Sequence, residues 1–137
     1  MRLFKVLATV ALVSACAAGH AHDAATPHFH SLPPGSNEML RAPIQAAPGL
    51  EVIVSDVIIP AGAAVPRHYH PGEEFVYVIE GSAIHREEGR DDLVLQAGDT
   101  YAIAPQAVHS PVGGPDGARA IVFRVHVAGQ PERVPAP

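Results

Sequence analysis

GAAVPRHYHPGEEFVYVIEG, residues 62–81, holds two histidines one residue apart and a carboxylate four residues later, between two glycines. In an extended chain, residues two apart share a face, so His68 and His70 project side by side while Tyr69 points away. Pro71-Gly72 reads as a bend, because proline presets φ and glycine accepts angles that other residues resist. The run Glu74-Phe75-Val76-Tyr77-Val78-Ile79 is a strand by its β-branched and aromatic content. Its first residue can swing back beside the histidines. Two imidazoles and a carboxylate converging from strands make a nitrogen/oxygen donor set that suits a divalent transition metal. An isolated pair of alternate histidines is more often an exposed strand face. The framing, and a further histidine downstream, set this pair apart.

From Gly98 the chain runs GDTYAIAPQAVH, delivering His109 after a second strand and a proline-containing turn. Together the two stretches resemble the two motifs of the cupin superfamily. The first, G-x5-H-x-H-x3-E-x6-G, is filled at every defining position by Gly62, His68, His70, Glu74 and Gly81. The second, G-x5-P-x-G-x2-H-x3-N, keeps Gly98 and His109 at the required separation. Ala104, Gln106 and Gly113 stand at its Pro, Gly and Asn positions, with proline one residue late at Pro105. These departures bear on the backbone path of the loop and leave the histidine in place. The resemblance covers residues 50–127 and implies an all-β fold, a jelly-roll (double-stranded β-helix) barrel. Inside it, a metal would sit on His68, His70, Glu74 and His109. Glu73 would meet a looser spacing, but the family pattern selects Glu74 and leaves Glu73 as a solvated turn residue. The family holds Fe, Mn, Ni, Cu or Zn on such donors, so the donor set does not select the metal.

The 137-residue chain has room for one domain, and its first residues are set apart from it. Arg2 and Lys5 precede a short apolar run, Val6 to Val13, of the kind a secretory signal uses. That run is too short for a permanent transmembrane helix. Two endings are open. Small residues at Gly19 and Ala21 permit cleavage after Ala21, giving a signal peptide of residues 1–21. Alternatively, Val13-Ser14-Ala15-Cys16 resembles a lipobox, with Cys16 as a lipidated N-terminus. Cys16 is the only cysteine, so the chain has no internal disulfide. Either ending implies export, to the periplasm or, as a lipoprotein, to the outer membrane or cell surface. Removing Arg2 and Lys5 from the nine basic residues leaves seven against fourteen acidic ones, or −7 with histidines neutral. Such a surface argues against nucleic acid, whose phosphates require a positive footprint. No later segment is long and apolar enough to be a transmembrane helix.

Residues 22–49, rich in Pro, Ala, Ser and His, read as an extended arm, partly disordered or draped over the domain, with Met39, Leu40 and Ile44 as its anchors. Two histidine pairs in or beside it, His20/His22 and His28/His30, lack a framing carboxylate and read as incidental. Between the arm and a proline-rich tail (128–137, not expected to carry a ladder) lies the barrel, residues 50–127. The expected strands are 50–59, 65–70, 74–80, 82–87, 93–96, 100–103 and 118–127, with a short piece around His109 and a hairpin turn at 88–92. No helix is expected. Many short antiparallel strands point to a closed or double-sheet architecture.

Parity extends the site. With Glu74 inward, Val76 and Val78 face inward too and line the pocket with apolar surface, while Phe75, Tyr77 and Ile79 face another layer or a partner subunit. Tyr101 is a candidate catalytic proton donor, or else a packed aromatic. His85 is expected on a half-exposed hairpin strand, Arg67 outward and Asp99 as a turn cap. His126 is expected at solvent or in a satisfied structural role. A metal on three imidazoles and a carboxylate can act as a Lewis acid, activate water or, as iron, use dioxygen. By resemblance, the expected function is that of a metal-dependent dioxygenase or related oxidoreductase on a small organic molecule, and the family's habit implies a homodimer. The alternative is a barrel that binds metal or a small ligand without turnover, since no second polar pair is evident around a valine-lined pocket.

Overall fold

The computed structural model describes residues 32–137 and is all-β. Its strands are β1 (Gly35–Pro43), β2 (Leu50–Ile59), β3 (His68–Tyr69), β4 (Glu74–His85), β5 (Leu93–Gln96), β6 (Thr100–Ile103), β7 (Val112–Val127) and β8 (Val134–Pro135). Six form one antiparallel sheet in the order β1-β2-β7-β4-β5, with β6 also on β4; β3 pairs with β8. This is the expected jelly-roll barrel. Its long strands are rich in Val and Ile, whose branched side chains fit a pleated, half-buried surface. The inward residues Ile53, Val78, Ile103 and Val122 are each no more than 3% exposed.

β4 corrects the expectation of two strands parted at Gly81. The chain runs through as one bent strand, with register shifts between Val78 and Glu80 and between Gly81 and Ala83. Gly81 has φ +69°, and a Cβ there would overlap the Gly117 carbonyl. The bend lets the first half of β4 pair with β6 and the second half with β5. β7 likewise begins at Val112, six residues earlier than expected. By contrast only His68 and Tyr69 of the expected 65–70 strand are in a ladder.

The two ends depart most. Residues 35–43 are not a draped arm but the edge strand β1, in register with β2 from Gly35↔Ile58 to Pro43↔Glu51. Polar groups anchor it. Asn37 Nδ2 donates to the Asp56 carbonyl at 3.1 Å, and Arg41 ion-pairs with Glu38, Glu51 and Glu132. Met39 and Leu40, the expected anchors, are 55% and 50% exposed; Ile44 is half-buried. At the other end, the tail does carry a ladder: β8 places Pro135 opposite His68 and Val134 opposite Tyr69. The signal expected over residues 1–21, Cys16 and the histidine pairs between His20 and His30 lie outside the described residues.

Candidate metal centre

Three elements bring the histidines together. His68 belongs to β3, His70 follows it, and His109 is bridged to His68 by two main-chain bonds, His68 N to His109 O at 3.1 Å and His109 N to His68 O at 2.8 Å. The loop before His109 keeps its path despite its altered motif. Gln106, at the family's glycine position, takes φ 64°, and its amide donates to the His70 carbonyl at 2.9 Å. A non-glycine residue tolerates that left-handed angle only against a steric penalty of about 1–2 kcal/mol. Gly72 needs glycine for a different reason than the bend suggests: its φ is not positive, but a Cβ would overlap the Val125 carbonyl of β7.

Each imidazole is oriented by a main-chain carbonyl. His68 Nδ1 contacts Pro66 O at 2.7 Å, His70 Nδ1 contacts Glu132 O at 2.6 Å, and His109 Nδ1 contacts Ala107 O at 2.9 Å. A carbonyl can only accept, so each Nδ1 carries the proton and each Nε2 keeps its lone pair. One ring nitrogen from each of the three lies within 4.8 Å of the others. All three rings are buried. Burial, foremost, pushes His68 down to about 3, with the neighbouring His109 adding to it. His70 and His109 are lowered chiefly by burial as well. The cluster is neutral, the state that binds metal.

Glu74 stands beside this trio. Burial pushes its carboxyl up, but the Arg124 guanidinium and the two nearest histidines override that and hold it below the usual carboxylate range. Arg124 Nε donates to Glu74 Oε2 at 2.6 Å, and Glu74 Oε1 lies 3.9 Å from His109 Nε2. His70 Nε2 is buried and has no hydrogen-bond partner among the described residues, although Glu74 Oε2 is 3.2 Å away. With Nδ1 protonated, that approach sets a nitrogen lone pair against a carboxylate oxygen. A cation held between them converts repulsion into coordination, so the residues present fit a divalent metal on His68, His70 and His109, with Glu74 in reach.

Arg124 was not singled out by the sequence reading; it lies on the buried face of β7 shared with Val122 and His126. It is 7% exposed and bonds Glu132 Oε1 at 3.0 Å in addition to Glu74. Glu132 thereby serves the site twice, through its carboxylate to Arg124 and its carbonyl to His70. A cavity of about 170 Å³ adjoins the cluster. Val76 and Val78 line it, as parity required, with Leu95, Ile103 and Val122.

His85 lines the cavity too and is 4% exposed, which corrects its half-exposed placement. Its Nε2 lies 3.2 Å from Glu87 Oε2. Tyr101 is not in the cavity wall. It packs on the His85 ring at a centroid distance of 4.7 Å, and its hydroxyl points to Glu87 Oε2 at 3.5 Å. His126 is buried and its Nε2 meets the Gln130 carbonyl at 3.1 Å, a structural role. Glu73 is exposed, Arg67 pairs outward with Glu88 at 3.0 Å, and Asp99 accepts from the Gln96 amide at 2.8 Å.

A cupin domain family model matches residues 55–126. The chain belongs to the cupin family. Similar solved structures include a cupin-like protein from Thermotoga maritima, 27% identical over 62% of this chain and 64% of that one, TM-score 0.54. The DMSP lyase DddQ from Ruegeria pomeroyi is 24% identical over 66% of this chain and 44% of its own, TM-score 0.55. A cupin-2 domain protein from Shewanella frigidimarina is 18% identical over 72% of this chain and 88% of its own, TM-score 0.52. The matched regions span less than two thirds of the first two proteins, and with the last two the likeness is one of fold. No curated protein matches the sequence.

Proposed function

We propose that this chain is an exported metal-dependent enzyme that holds one divalent transition metal on His68, His70 and His109, with Glu74 as the fourth donor, and acts on a small organic molecule in the adjoining cavity. The observation that carries the reading is that Nδ1 of each of the three buried histidines lies against a main-chain carbonyl, which assigns the proton to Nδ1 and leaves each Nε2 lone pair for the cluster. When bound, the metal supplies Lewis acidity or, as iron, redox chemistry with dioxygen, which is the basis for an oxidoreductase of the dioxygenase type. The protein's own residues supply the rest. Arg124 keeps Glu74 ionised, the valine and isoleucine wall excludes water, and Glu132 orients His70. His85 stands on the cavity wall with Glu87 behind it at 3.2 Å, a titratable side chain that a passive binding barrel would not need, and it favours turnover over the non-catalytic alternative.

The basic, apolar N-terminal run supports export to the periplasm, with lipid anchoring at Cys16 as the other ending. A homodimer fits the exposed aromatic face of the sheet, where Phe75, Tyr77 and Phe123 stand out at 43–46% exposure. The test of the metal centre is elemental analysis of untagged protein from its native compartment. About one equivalent of a transition metal is expected, lost in His68→Ala and in His109→Ala with the β-rich circular dichroism kept. Full metal retention in both variants would overturn the assignment.

A further inference from the structure

Seven arginines lie among the described residues. Six have a carboxylate oxygen at 2.6–3.1 Å. Arg133 has none among the described residues, and it lies in the wall of the metal cavity. Among the described residues only one of its donors engages protein: Nη2 bonds the Pro66 carbonyl at 2.8 Å. That same oxygen accepts the Nδ1 proton of His68 at 2.7 Å. A single oxygen therefore ties this guanidinium to the first histidine of the metal cluster. The pairing of β8 with β3 holds it there, reinforced by the Ala136 amide bond to the Arg67 carbonyl at 3.1 Å. Partial burial and the like charge of Arg124 both disfavour the protonated guanidinium, and Glu74 offsets them only in part. In a chain whose acidic residues outnumber its basic ones, the one arginine without a carboxylate among the described residues is a solvent-exposed residue on the wall of the working cavity.

The remainder of the wall is chiefly apolar, with Val57, Ile59, Val76, Val78 and Leu95 among it. Its volume of about 170 Å³ is close to the ~150 Å³ void that takes one benzene, so the occupant has about six to nine non-hydrogen atoms. A guanidinium matches a planar carboxylate with two parallel N–H···O bonds.

We infer that the cavity takes a small monocarboxylate, its carboxylate on Arg133 at the histidine end and its compact apolar body among the valines and isoleucines. The inference deepens the metal-centre reading and rests on it for the identity of the working site. Arg133 is then a specificity-determining residue supplied by the C-terminal segment.

The test is a ligand-observed NMR titration with isovalerate and benzoate, each against its neutral amide. It compares wild type, Arg133→Gln and Arg133→Lys, metal-free and loaded with Co(II). Wild type is expected to bind each acid about tenfold more tightly than its amide, the scale of one charge-assisted pair. The preference should vanish in Arg133→Gln and largely return in Arg133→Lys, with the Co(II) absorption of the histidine centre unchanged in all three. No binding of the acids, equal binding of acid and amide, or a preference that survives Arg133→Gln would overturn the inference. A protein that takes up no Co(II) would overturn the metal-centre reading instead, because the Arg133-dependent preference is still read in the metal-free protein.

Discussion

The two faces of strands β4 and β7 invert the usual assignment of residue types. On the inner face Glu74 lies opposite Arg124, and one residue along each strand, on the outer face, Phe75 lies opposite Phe123. The charged pair is 6% and 7% exposed, while the phenylalanines are 44% and 43% exposed. Alternation decides which residues share a face, but hydrophobicity alone does not decide which face is inside. The inside here is a site, and it admits the buried charges of these two strands because each is matched. Glu74 meets Arg124, Arg124 also meets Glu132, and the histidines meet carbonyls.

The strongest way to break this contrast is Arg124→Met, which strands a buried carboxylate. The metal-free variant is expected to lose ~3–5 kcal/mol of stability by urea unfolding, and added metal should recover part of it as a substitute cation. An unchanged urea midpoint would mean the inner pair does not hold these strands together.

Ending the chain after Gln130 removes β8 and the carbonyl that orients His70. Metal affinity should fall by about 10–100-fold, the usual effect of losing such an outer partner. A competition assay giving unchanged affinity would show that His70 is oriented without the tail.

The inner face should also respond to acid where the outer face does not. His68 titrates at about 3 in the folded protein against an ordinary 6.5, and His70 and His109 are lowered as well. Above 6.5 these rings are neutral in both states and their contribution is complete. Below it the unfolded chain binds protons that the folded chain refuses, so stability is lost as pH falls from 6.5 towards about 3. Urea midpoints of the metal-free protein that stay flat between about pH 7 and 5 would contradict this.

The smallest effect on stability belongs to the outer face. Phe75→Ser with Phe123→Ser should change monomer stability by only ~0.5 kcal/mol, as exposed substitutions do. If the proposed homodimer uses this face, sedimentation velocity will show the double variant as a monomer where wild type is a dimer. A dimer that persists would place the interface elsewhere.

Much of the site was legible because it depends on local spacing. His68 and His70 share a face by the period of two, Val76 and Val78 follow Glu74 inward, and Gly62 and Gly98 mark turns. His109 was legible through the second cupin motif, whose separation from Gly98 it keeps. The strand β1 was not, since its anchors are Asn37 and Arg41 bonding to distant partners, and its apolar residues point outward. Arg124 and Glu132 were also missed. Arg124 acquires its role from Glu74, 50 residues away, and Glu132 from His70, 62 residues away.

The sequence by itself therefore determined the all-β class and the face shared by His68 and His70, because backbone periodicity and turn chemistry act over a few residues, and its resemblance to the cupin motifs implied the jelly-roll barrel and the place of His109. Only the tertiary structure decided that His85 enters the cavity while Tyr101 stays behind it, that Arg124 claims Glu74, and that the C-terminal segment returns to brace His70 and present Arg133. Those outcomes follow from strand order and register, which bring together groups that no local rule connects.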